Sequence, residues 1–274
     1  MSYLILYHKN CNDGLAAAVA VRQWLLDSGR MKGAKFQTVQ YGDPAPADVS
    51  GLDVVIVDFS FSRETLLAMK AQANSLVVID HHQTAQEALA GLDFCRFDMS
   101  KSGAVLAWEY FHPGKPLPKL MEYVQDRDLW LWQMPFSEEV SAALRGYKPF
   151  LDVWAQFLDD GAVARLVGEG APVVAYQRRA MEIALHNEPA WVEIGGYLVP
   201  VLNATHLISE LGNEMLKKYP MADFAALYFD TMDKRVFSLR SEDSRVDVSE
   251  VAKGYGGGGH RNAAGFSVDK PAVI

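Results

Sequence analysis

Cysteine is scarce in this sequence of 274 residues: only Cys11 and Cys95 occur. Two cysteines cannot build a disulfide framework, which suits a reducing compartment. The sequence also lacks a basic N-terminal region leading into an apolar signal segment, and no apolar run approaches the length of a membrane span. From these absences we expect a soluble cytoplasmic protein with no membrane partner.

Positive charge is also limited, because 26 Lys and Arg residues face 34 Asp and Glu residues, for a net charge of −8. A field of that sign repels long duplex DNA, which argues against a genomic DNA-binding protein. A short anionic substrate held by a few local cations and metal ions remains compatible. Half of the residues are apolar, enough to bury the core of one large domain or two ordinary ones.

Three short apolar runs occupy the first third of the chain: YLILYH (Tyr3–His8), DVVIVDF (Asp53–Phe59) and SLVVIDHH (Ser75–His82). Apolar runs without polar alternation are typical of strands covered on both faces in a parallel sheet. Helix-like segments, Gly14–Asp27 and Ser62–Ala73, lie between them, and Ser62 is a predicted N-cap. The alternation predicts an α/β domain with a parallel sheet.

The rest of the chain predicts helices and then a second small α/β domain. Gly103–Phe111 and Pro118 to about Trp132 have helical patterns, and residues 137–185 predict further helices interrupted by a loop at GEGAP. From about residue 190, YLVPVLN, DFAALYFD and RVFSLRS predict strands, and HLISELGNEMLKKY predicts an amphipathic helix. The predicted domains are therefore 1–135, a helical connector at 136–189, and 190–274.

Metal-ligand residues follow each apolar run of the first domain. His8 is followed closely by Asp13, Asp58 ends the second run, and the third ends in Asp80-His81-His82. Because the carboxyl ends of parallel strands share one edge, these side chains should meet there. Clustered carboxylates repel one another unless a cation is bound. Asp and His ligands suit Mn²⁺, Fe²⁺, Co²⁺ or Zn²⁺, and the excess of carboxylates favours Mn²⁺ or Mg²⁺.

Such a cluster is suited to hydrolysis of phosphate esters. An Asp that bridges two ions roughly 3.5–4 Å apart forms a two-metal site of the kind that performs this reaction. Further along, VQDRDLWLW offers Asp126 and Asp128, either of which could complete the ligand set. A solvated helix end is the alternative interpretation of this pair.

The segment GYGGGGHRNAAGF, Gly254–Phe266, predicts a phosphate-binding site. Consecutive glycines let backbone N–H groups converge on an anion, and the small residues after His260 and Arg261 would let a helix begin near it. Arg240 in SLRS is a candidate second phosphate ligand, with a surface arginine as the alternative. The literal G-x-G-x-x-G match is not a dinucleotide motif, because no strand precedes it and too few residues follow. A flexible surface turn is the other alternative.

VVIDHH and GGGGHRNAAGF together resemble the DHH phosphoesterase superfamily, in the branch with a DHH-associated C-terminal domain. The resemblance covers nearly the whole chain and is nearest in character to nanoRNases and oligoribonucleases. It implies a hydrolase that uses two Mn²⁺ or Mg²⁺ ions, in a cleft between a catalytic domain and a substrate-binding domain. Family members also include single-strand exonucleases, phosphatases, cyclic-dinucleotide phosphodiesterases, and polyphosphate and pyrophosphate hydrolases.

The resemblance also implies a role for each site residue. His8 would bind one ion, Asp13 the other, and Asp58 would bridge them. His81 would be a ligand with Asp80 beside it, and His82 would contact the substrate or leaving group. Asp128, or Asp126 in its place, would complete the second ion's ligands. The phosphate or the next nucleotide would be held by Gly257, Gly258, Gly259, His260 and Arg261.

One residue departs from the family pattern, since Cys11 stands where the first carboxylate of Asp-x-Asp-Gly usually lies. Three explanations stay open: Cys11 is a thiolate ligand, Asn10 or Asn12 supplies an oxygen, or the ion binds weakly and only with substrate. Thiolate ligation would shift the preference toward Zn²⁺ or Fe²⁺.

The leading functional hypothesis is a metal-dependent phosphoesterase, acting as a phosphodiesterase or 3′–5′ exonuclease, or as a phosphatase. It would hydrolyse short oligonucleotides or nucleotide phosphoesters with metal-activated water, and His82 would assist the leaving oxygen. One alternative is hydrolysis of polyphosphate, pyrophosphate or a cyclic nucleotide. Another is a nucleotide-binding regulatory protein whose catalytic site has decayed at Cys11. A homodimer is compatible with the sequence, which leaves the oligomeric state open.

Overall fold

The structure, a computed structural model, describes residues 2–270. The chain divides into two compact units, Met1–Val174 and Ala175–Ile274. The domain boundaries expected near residues 135 and 189 stay predictions. Within residues 2–270, no helix is both long enough and apolar enough to cross a lipid bilayer.

The first unit contains a five-stranded sheet in the order β2-β1-β3-β4-β5, and every neighbouring pair is parallel. Its strands are β1 (Ser2–His8), β2 (Lys35–Val39), β3 (Leu52–Val57), β4 (Ser75–Asp80) and β5 (Cys95–Phe97). The parallel sheet predicted from the three apolar runs is therefore confirmed, with β1, β3 and β4 at its centre.

Both faces of this sheet are covered by apolar side chains, which explains why the central strands show no polar alternation. Ile5 and Val57 belong to the core cluster on one face, together with much of the first helix. Leu6 and Ile56 belong to the core cluster on the other face. Successive residues of a strand point to opposite faces, so a strand covered on both sides must be apolar throughout.

Helices cover the sheet, and the two that begin after Ser62 and Ser102 are capped by these serine side chains. The Ser62 side chain accepts a hydrogen bond from the Thr65 N–H, which confirms the predicted cap. The helices that lie wholly in the first unit are α1 (Asn12–Asp27), α2 (Arg63–Gln72), α3 (Gln83–Ala88), α4 (Gly103–Phe111), α5 (Lys119–Asp128), α6 (Ser137–Gly146) and α7 (Leu151–Ala155). A short 3₁₀ turn, Gln156–Leu158, precedes α8 (Asp160–Ala184).

The loop predicted at GEGAP is wrong, because Gly168–Pro172 lies inside α8. Gly170 is present for packing rather than for a turn: a Cβ atom there would overlap the backbone of Glu139 in α6. The helix keeps its form through Pro172. Tertiary packing against α6 therefore outweighs the low helix propensity of this segment.

The second unit contains a six-stranded mixed sheet in the order β10-β11-β9-β8-β7-β6. Its strands are β6 (Ala190–Ile194), β7 (Tyr197–Asn203), β8 (Ala225–Asp230), β9 (Lys234–Arg240), β10 (Gly258–His260) and β11 (Ala263–Asp269). Strands β7 and β8 are parallel and the other neighbouring pairs are antiparallel. Its helices within residues 190–270 are α9 (Ile208–Lys218) and α10 (Val248–Lys253). The predicted second α/β fold is confirmed.

The helix expected after the glycine run is wrong, because the small residues there form β11 and pair with β10 and β9. The glycines also have a packing reason. A Cβ on Gly257 would overlap the Gly265 carbonyl oxygen, and one on Gly259 would lie 2.6 Å from the Ala263 carbonyl oxygen. Close backbone approach at the edge of the sheet therefore accounts for glycine at both positions.

Candidate metal centre

The carboxyl ends of β1, β3 and β4 deliver acidic and histidine side chains to one edge of the first unit's sheet. Within that unit, ligand atoms of two three-residue groups each lie within 4.8 Å of one another. The first group is His8, Asp58 and His82, and the second is Asp13, His81 and Asp128. The structure thus brings together six of the residues that the sequence singled out.

Asp58 belongs to the first group and faces one oxygen toward His8 and the other toward His81 of the second group. Its Oδ2 is 3.7 Å from His8 Nδ1, and its Oδ1 is 3.1 Å from His81 Nε2. The side chain is buried, and Oδ2 accepts no hydrogen bond of normal length from the described residues. Asp58 also has a positive φ of 54°, a strained conformation for a residue with a Cβ. The bridging role expected of Asp58 stays a prediction.

The second group is built around His81, whose Nε2 is 3.5 Å from Asp13 Oδ2 and 3.6 Å from Asp128 Oδ2. Asp13 also accepts backbone hydrogen bonds from Gly103 (2.6 Å) and Ala104 (2.9 Å). These donors are at the first turn of α4, where the helix dipole favours a negative charge. Helix α4 therefore holds the Asp13 carboxylate in place.

Two glycines allow this crowding. A Cβ on Gly14 would lie 2.6 Å from the His8 carbonyl oxygen, and one on Gly103 would lie 2.7 Å from the Asp58 Cβ. Atoms at those separations overlap, so any larger residue would displace a ligand. The glycines bring α1 and α4 close enough for their first turns to border the carboxylates.

Asp80 belongs to neither group and positions His82 instead. Its Oδ1 accepts the His81 N–H (2.7 Å) and lies 2.7 Å from His82 Nδ1, while its Oδ2 accepts the Ser60 hydroxyl (2.6 Å). The carboxylate is fully buried. Its hydrogen bonds fix the turn after β4 and the orientation of the His82 ring.

Burial and close charges shift the pKa values of the cluster. Burial, together with the charges of Asp58 and Asp128, raises the pKa of Asp13 well above its ordinary value. Burial raises the pKa of the Asp128 carboxyl as well. For Asp58, burial acts in the same direction, but the neighbouring His8 and His81 side chains outweigh it and lower the pKa.

The two histidines of the third run are shifted upward. Burial alone lowers the pKa of His81, but the hydrogen bond to Asp58 and the charges of Asp13 and Asp128 raise it to about 10. Burial likewise opposes protonation of His82, and the Asp80 carboxylate outweighs it and raises the pKa. In the absence of metal, protons therefore supply the positive charge that the carboxylates require.

These residues fit a pair of divalent cations. The buried Asp13 and Asp58 and the partly exposed Asp128 lie among imidazoles, and the Asp58 Oδ2 atom is buried without a normal hydrogen bond. Burial and like charges raise the pKa of Asp13. Mixed carboxylate and imidazole ligands suit Mn²⁺ and its neighbours in the transition series.

Asp126 lies in α5, and its carboxylate accepts hydrogen bonds from the loop that follows this helix. Its Oδ1 accepts the Gln133 N–H at 2.8 Å and its Oδ2 the Met134 N–H at 3.3 Å. Of the two candidates in VQDRDLWLW, Asp128 is the one that the structure places beside His81.

Cys11 immediately precedes α1. Burial and the nearby charges of Asp58, Asp128 and Asp13 raise the pKa of its thiol well above the ordinary value. It belongs to neither three-residue group. The three explanations for this residue all stay open.

The candidate phosphate ligands of the second unit make hydrogen bonds within that unit. Arg240 donates to the Ser209 hydroxyl (2.8 Å) and the Leu239 carbonyl (2.8 Å). Arg261 donates to the carbonyls of Asp243 and Arg245, each at 3.1 Å. Gly258, Gly259 and His260 form β10. Their role toward substrate stays a prediction.

Sequence reasoning did not single out several residues that shape this centre. Ser60 and Gly103 donate hydrogen bonds to the Asp80 and Asp13 carboxylates. The centroid of the Tyr41 ring lies 5.8 Å from that of the His8 ring and 6.1 Å from that of the His82 ring. For Gly103, the Ser102 N-cap before an apolar run is a signal that the sequence does carry. Tyr41 follows a short edge strand, and no local pattern marks it.

Comparison with known proteins gave relatives in sequence and in structure, although no family model matched. The chain is 30% identical to the uncharacterized protein R106 of Acanthamoeba polyphaga mimivirus over 96% of this chain and 67% of that protein. It is 27% identical to the oligoribonuclease NrnB of Bacillus subtilis (strain 168) over 70% of this chain and 52% of that protein. The chain thus spans about two thirds of the first relative and about half of the second.

Solved structures show the same fold. The DHH domain of a member of a ribosomal-protein family has a TM-score of 0.60 and 16% identity, covering 98% of this chain and 83% of that chain. RecJ of Thermus thermophilus in complex with Mn²⁺ has a TM-score of 0.54 and 17% identity, covering 97% of this chain and 49% of that chain. The chain therefore belongs to the same family as protein R106, and it has the fold of these DHH-domain structures.

Proposed function

We propose that this protein is a divalent-metal-dependent phosphoesterase that hydrolyses short oligonucleotides. The observation that carries the proposal is Asp58, which faces one oxygen toward each of two groups of ligands. Two such ions, when bound, would stabilise the charge that develops on the phosphate and lower the pKa of a coordinated water. Mn²⁺ is the proposed ion, supported by the carboxylate-rich ligands and by the Mn²⁺ complex of RecJ.

The protein's own residues then hold and protonate the substrate. Asp80 Oδ1 lies 2.7 Å from His82 Nδ1 and orients the ring, and we assign to the protonated ring the donation of a proton to the leaving oxygen. Burial of Asp80 fixes the ring in that orientation. We assign His82 to the substrate, as the family resemblance implies, and His8, Asp13, Asp58, His81 and Asp128 to the ions.

A short substrate is supported by charge and by kinship. The chain carries a net charge of −8, which disfavours a long polyanion. The relative NrnB is named an oligoribonuclease. We also propose that Gly257, Gly258, Gly259, His260, Arg261 and Arg240 hold a phosphate or the next nucleotide.

Replacement of Asp58 by Asn tests the proposal, because the amide keeps the shape of the side chain and removes its charge. With Mn²⁺ and a five-nucleotide RNA, we expect release of mononucleotides to fall by about 10²-fold or more, as bridging of the ions is lost. Asp93→Asn is the matched control, an exposed carboxylate of the same unit outside the cluster. Equal turnover by wild type and Asp58→Asn would refute the assignment.

A substrate panel defines the reaction further. Pyrophosphate, polyphosphate and a cyclic dinucleotide are compared with the RNA at equal Mn²⁺ concentration. If one of these compounds is hydrolysed faster than the RNA, that compound becomes the proposed substrate in place of the oligonucleotide. Tight nucleotide binding without turnover under every divalent ion tried would instead favour the regulatory protein.

A further inference from the structure

Strand β6 forms one edge of the second unit's sheet and lacks the protection that the other sheet edges have. An edge strand presents unpaired N–H and C=O groups with which another strand can pair, and short strands or polar side chains prevent such pairing. In the described sheets, the edges β5 and β10 have only three residues each, and the edge β2 is mostly polar and includes Lys35. β6 has five residues, and Trp191 and Val192 are among its four exposed side chains. β6 is therefore the most open of these edges.

The hairpin that joins β6 to β7 determines which backbone groups of β6 face outward. Its two-residue turn, Gly195-Gly196, has positive φ at both glycines (60° and 85°), as in type I′ turns. The residues that flank such a turn, here Ile194 and Tyr197, bond to each other, and bonded pairs alternate with non-bonded pairs along an antiparallel ladder. Trp191 and Glu193 are therefore at non-bonded positions, and their N–H and C=O groups point away from β7.

Apolar side chains lie exposed on both faces of this edge. On the face that α9 covers, Trp191 is 45% exposed and Leu198 of β7 is 61% exposed. The centroid of the Trp191 ring lies 5.7 Å from that of the Tyr219 ring, at the end of α9. On the opposite face, Val192 is 40% exposed although it pairs with the buried Val199. Exposed apolar side chains beside free backbone groups are typical of a surface that pairs with another strand.

The sequence of β6 is complementary to itself in the antiparallel register centred on Val192. In that register, the outward-facing Trp191 of each copy forms a hydrogen-bonded pair with the outward-facing Glu193 of the second copy. A register centred on Glu193 would place two like charges directly opposite each other, which is destabilising. A register centred on Trp191 would place Glu193 opposite Pro189, which has no N–H to donate. Backbone pairing and charge therefore favour the same register.

This register also brings the exposed side chains together. Val192 would meet Val192 of the second copy on the two-fold axis, and Trp191 would lie directly opposite Glu193 of the second copy. The two Trp191 rings would be diagonal neighbours, a separation that aromatic side chains in a sheet can bridge. The pairing therefore covers apolar side chains that are exposed in the single chain and brings no like charges together.

We propose that two copies of this chain form a dimer by antiparallel pairing of their β6 strands, centred on Val192. The sheets of the two second units then form one continuous sheet. A second copy is the occupant of this edge because the register that pairs Trp191 with Glu193 satisfies the outward backbone groups of both strands at once. The dimer does not depend on the proposed hydrolysis, and its test requires no turnover.

The mass of the protein in solution tests the dimer. Sedimentation velocity is measured on the full chain over about 1–100 µM protein, because the population of a dimer rises with concentration. We expect the mass of wild-type protein to rise within this range from that of one chain to twice that value. Wild-type protein that keeps the mass of one chain throughout would overturn the inference.

Val192→Lys should raise the dissociation constant of the dimer by about 30-fold or more, because two lysines would meet at the two-fold axis. The position is exposed, so the ammonium group can reach solvent in the single chain. Val173→Lys in α8 is the matched control, since Val173 is 37% exposed and lies outside β6, and it should keep the wild-type dissociation constant. Thermal unfolding verifies that both variants are folded. An unchanged dissociation constant in folded Val192→Lys would overturn the inference.

Glu193→Pro tests the backbone pairing, because proline removes the N–H that points away from β7 and leaves the bonds between β6 and β7 in place. We expect the dissociation constant to rise about tenfold or more, with little change in thermal unfolding. Glu193→Ala is the matched control, because it removes the same side chain and keeps the N–H, and it should dimerise nearly as tightly as wild type. Equal dissociation constants of these two variants would contradict strand pairing at this edge.

Trp191→Lys and Trp191→Glu test the register. Both variants lose the aromatic ring and should dimerise more weakly than wild type. Because residue 191 lies opposite Glu193 of the second copy, the lysine variant should dimerise about tenfold more tightly than the glutamate variant. The double variant Trp191→Glu/Glu193→Lys pairs opposite charges again and should match Trp191→Lys. Equal dissociation constants of the lysine and glutamate variants would refute the register, and with it the proposed dimer.

Discussion

The metal centre and the glycine-rich segment were the two strongest signals in the sequence, and the structure treats them differently. At the metal centre, Asp13 and His81 are buried among like and opposite charges with strongly raised pKa values. In the glycine-rich segment, Gly257 and Gly259 fit against backbone carbonyls, and the Arg261 guanidinium donates to two carbonyls of its own unit. The fold leaves the buried charges of the metal centre without full compensation. In the glycine-rich segment, contacts within the unit already account for the glycines and the arginine.

That difference separates evidence for a ligand from evidence for packing. A buried, crowded carboxylate raises the free energy of the metal-free protein, and either bound protons or a metal cation can compensate its charge. A glycine that allows two backbone segments to approach closely is explained by packing and needs no ligand. The sheet accounts for glycine at positions 257 and 259, and phosphate binding by this segment stays a prediction.

The largest expected contrast is within α5, between two aspartates two residues apart. Asp128→Asn should weaken Mn²⁺ binding by about 10²-fold, since it removes a charged ligand beside His81. Asp126→Asn should keep the Mn²⁺ stoichiometry and affinity of wild type and should lower stability by about 1–3 kcal/mol, because its carboxylate holds the next loop. Calorimetric Mn²⁺ titration and thermal unfolding of both variants measure these effects. The reverse result would exchange the two assignments.

A smaller effect is proton release on metal binding. The pKa of His81 is raised to about 10 in the metal-free protein, so its ring is protonated at pH 7, whereas a metal ligand must be neutral. If binding of Mn²⁺ releases one proton, the Mn²⁺ affinity should increase about tenfold for each unit of pH below that pKa. The affinity should therefore fall as the pH falls.

Titrations between pH 6 and 8, in buffers of different ionisation enthalpy, count the protons. The sign for stability follows from the same shift. The ion pairs of protonated His81 stabilise the metal-free protein below a pH of about 6.5, and that contribution is lost as the pH rises toward 10. Affinity that did not change with pH would contradict a protonated His81.

The smallest expected effect is in the second region. Gly257→Ala should destabilise the protein by about 1–3 kcal/mol, because the added Cβ overlaps the Gly265 carbonyl. Mn²⁺ affinity should stay that of wild type. Gly254→Ala, where a Cβ would meet only the Val251 carbonyl at 3.3 Å, is the milder control. Loss of Mn²⁺ binding in Gly257→Ala at unchanged stability would show that the segment serves the metal centre rather than the sheet.

Much of the first unit could be predicted from sequence because one physical rule covers it. Strands buried on both faces have continuous apolar sequences, and their carboxyl ends share an edge. That rule placed His8, Asp58 and His81 together. It could not find β2, whose residues are mostly polar and exposed, or β5, which has only three residues.

Other features depend on tertiary packing that no local pattern encodes. Ser141 and Arg145 are on α6, and only the packing of α6 beside α5 and the start of α1 brings them to the same pocket as Asn12. The role of Asp80 required knowing that both of its oxygens are occupied. The sequence predicted a loop at GEGAP because glycine and proline have low helix propensity. Gly170 is required instead by the close approach of the Glu139 backbone.

Location of the ions in a crystal soaked with Mn²⁺ tests the central claim most directly. Anomalous scattering at the manganese edge should show two ions flanking Asp58, one with His8 and the other with Asp13, His81 and Asp128. The same map shows whether the Cys11 sulfur is a ligand. A single ion, or two ions that do not share Asp58, would contradict the account.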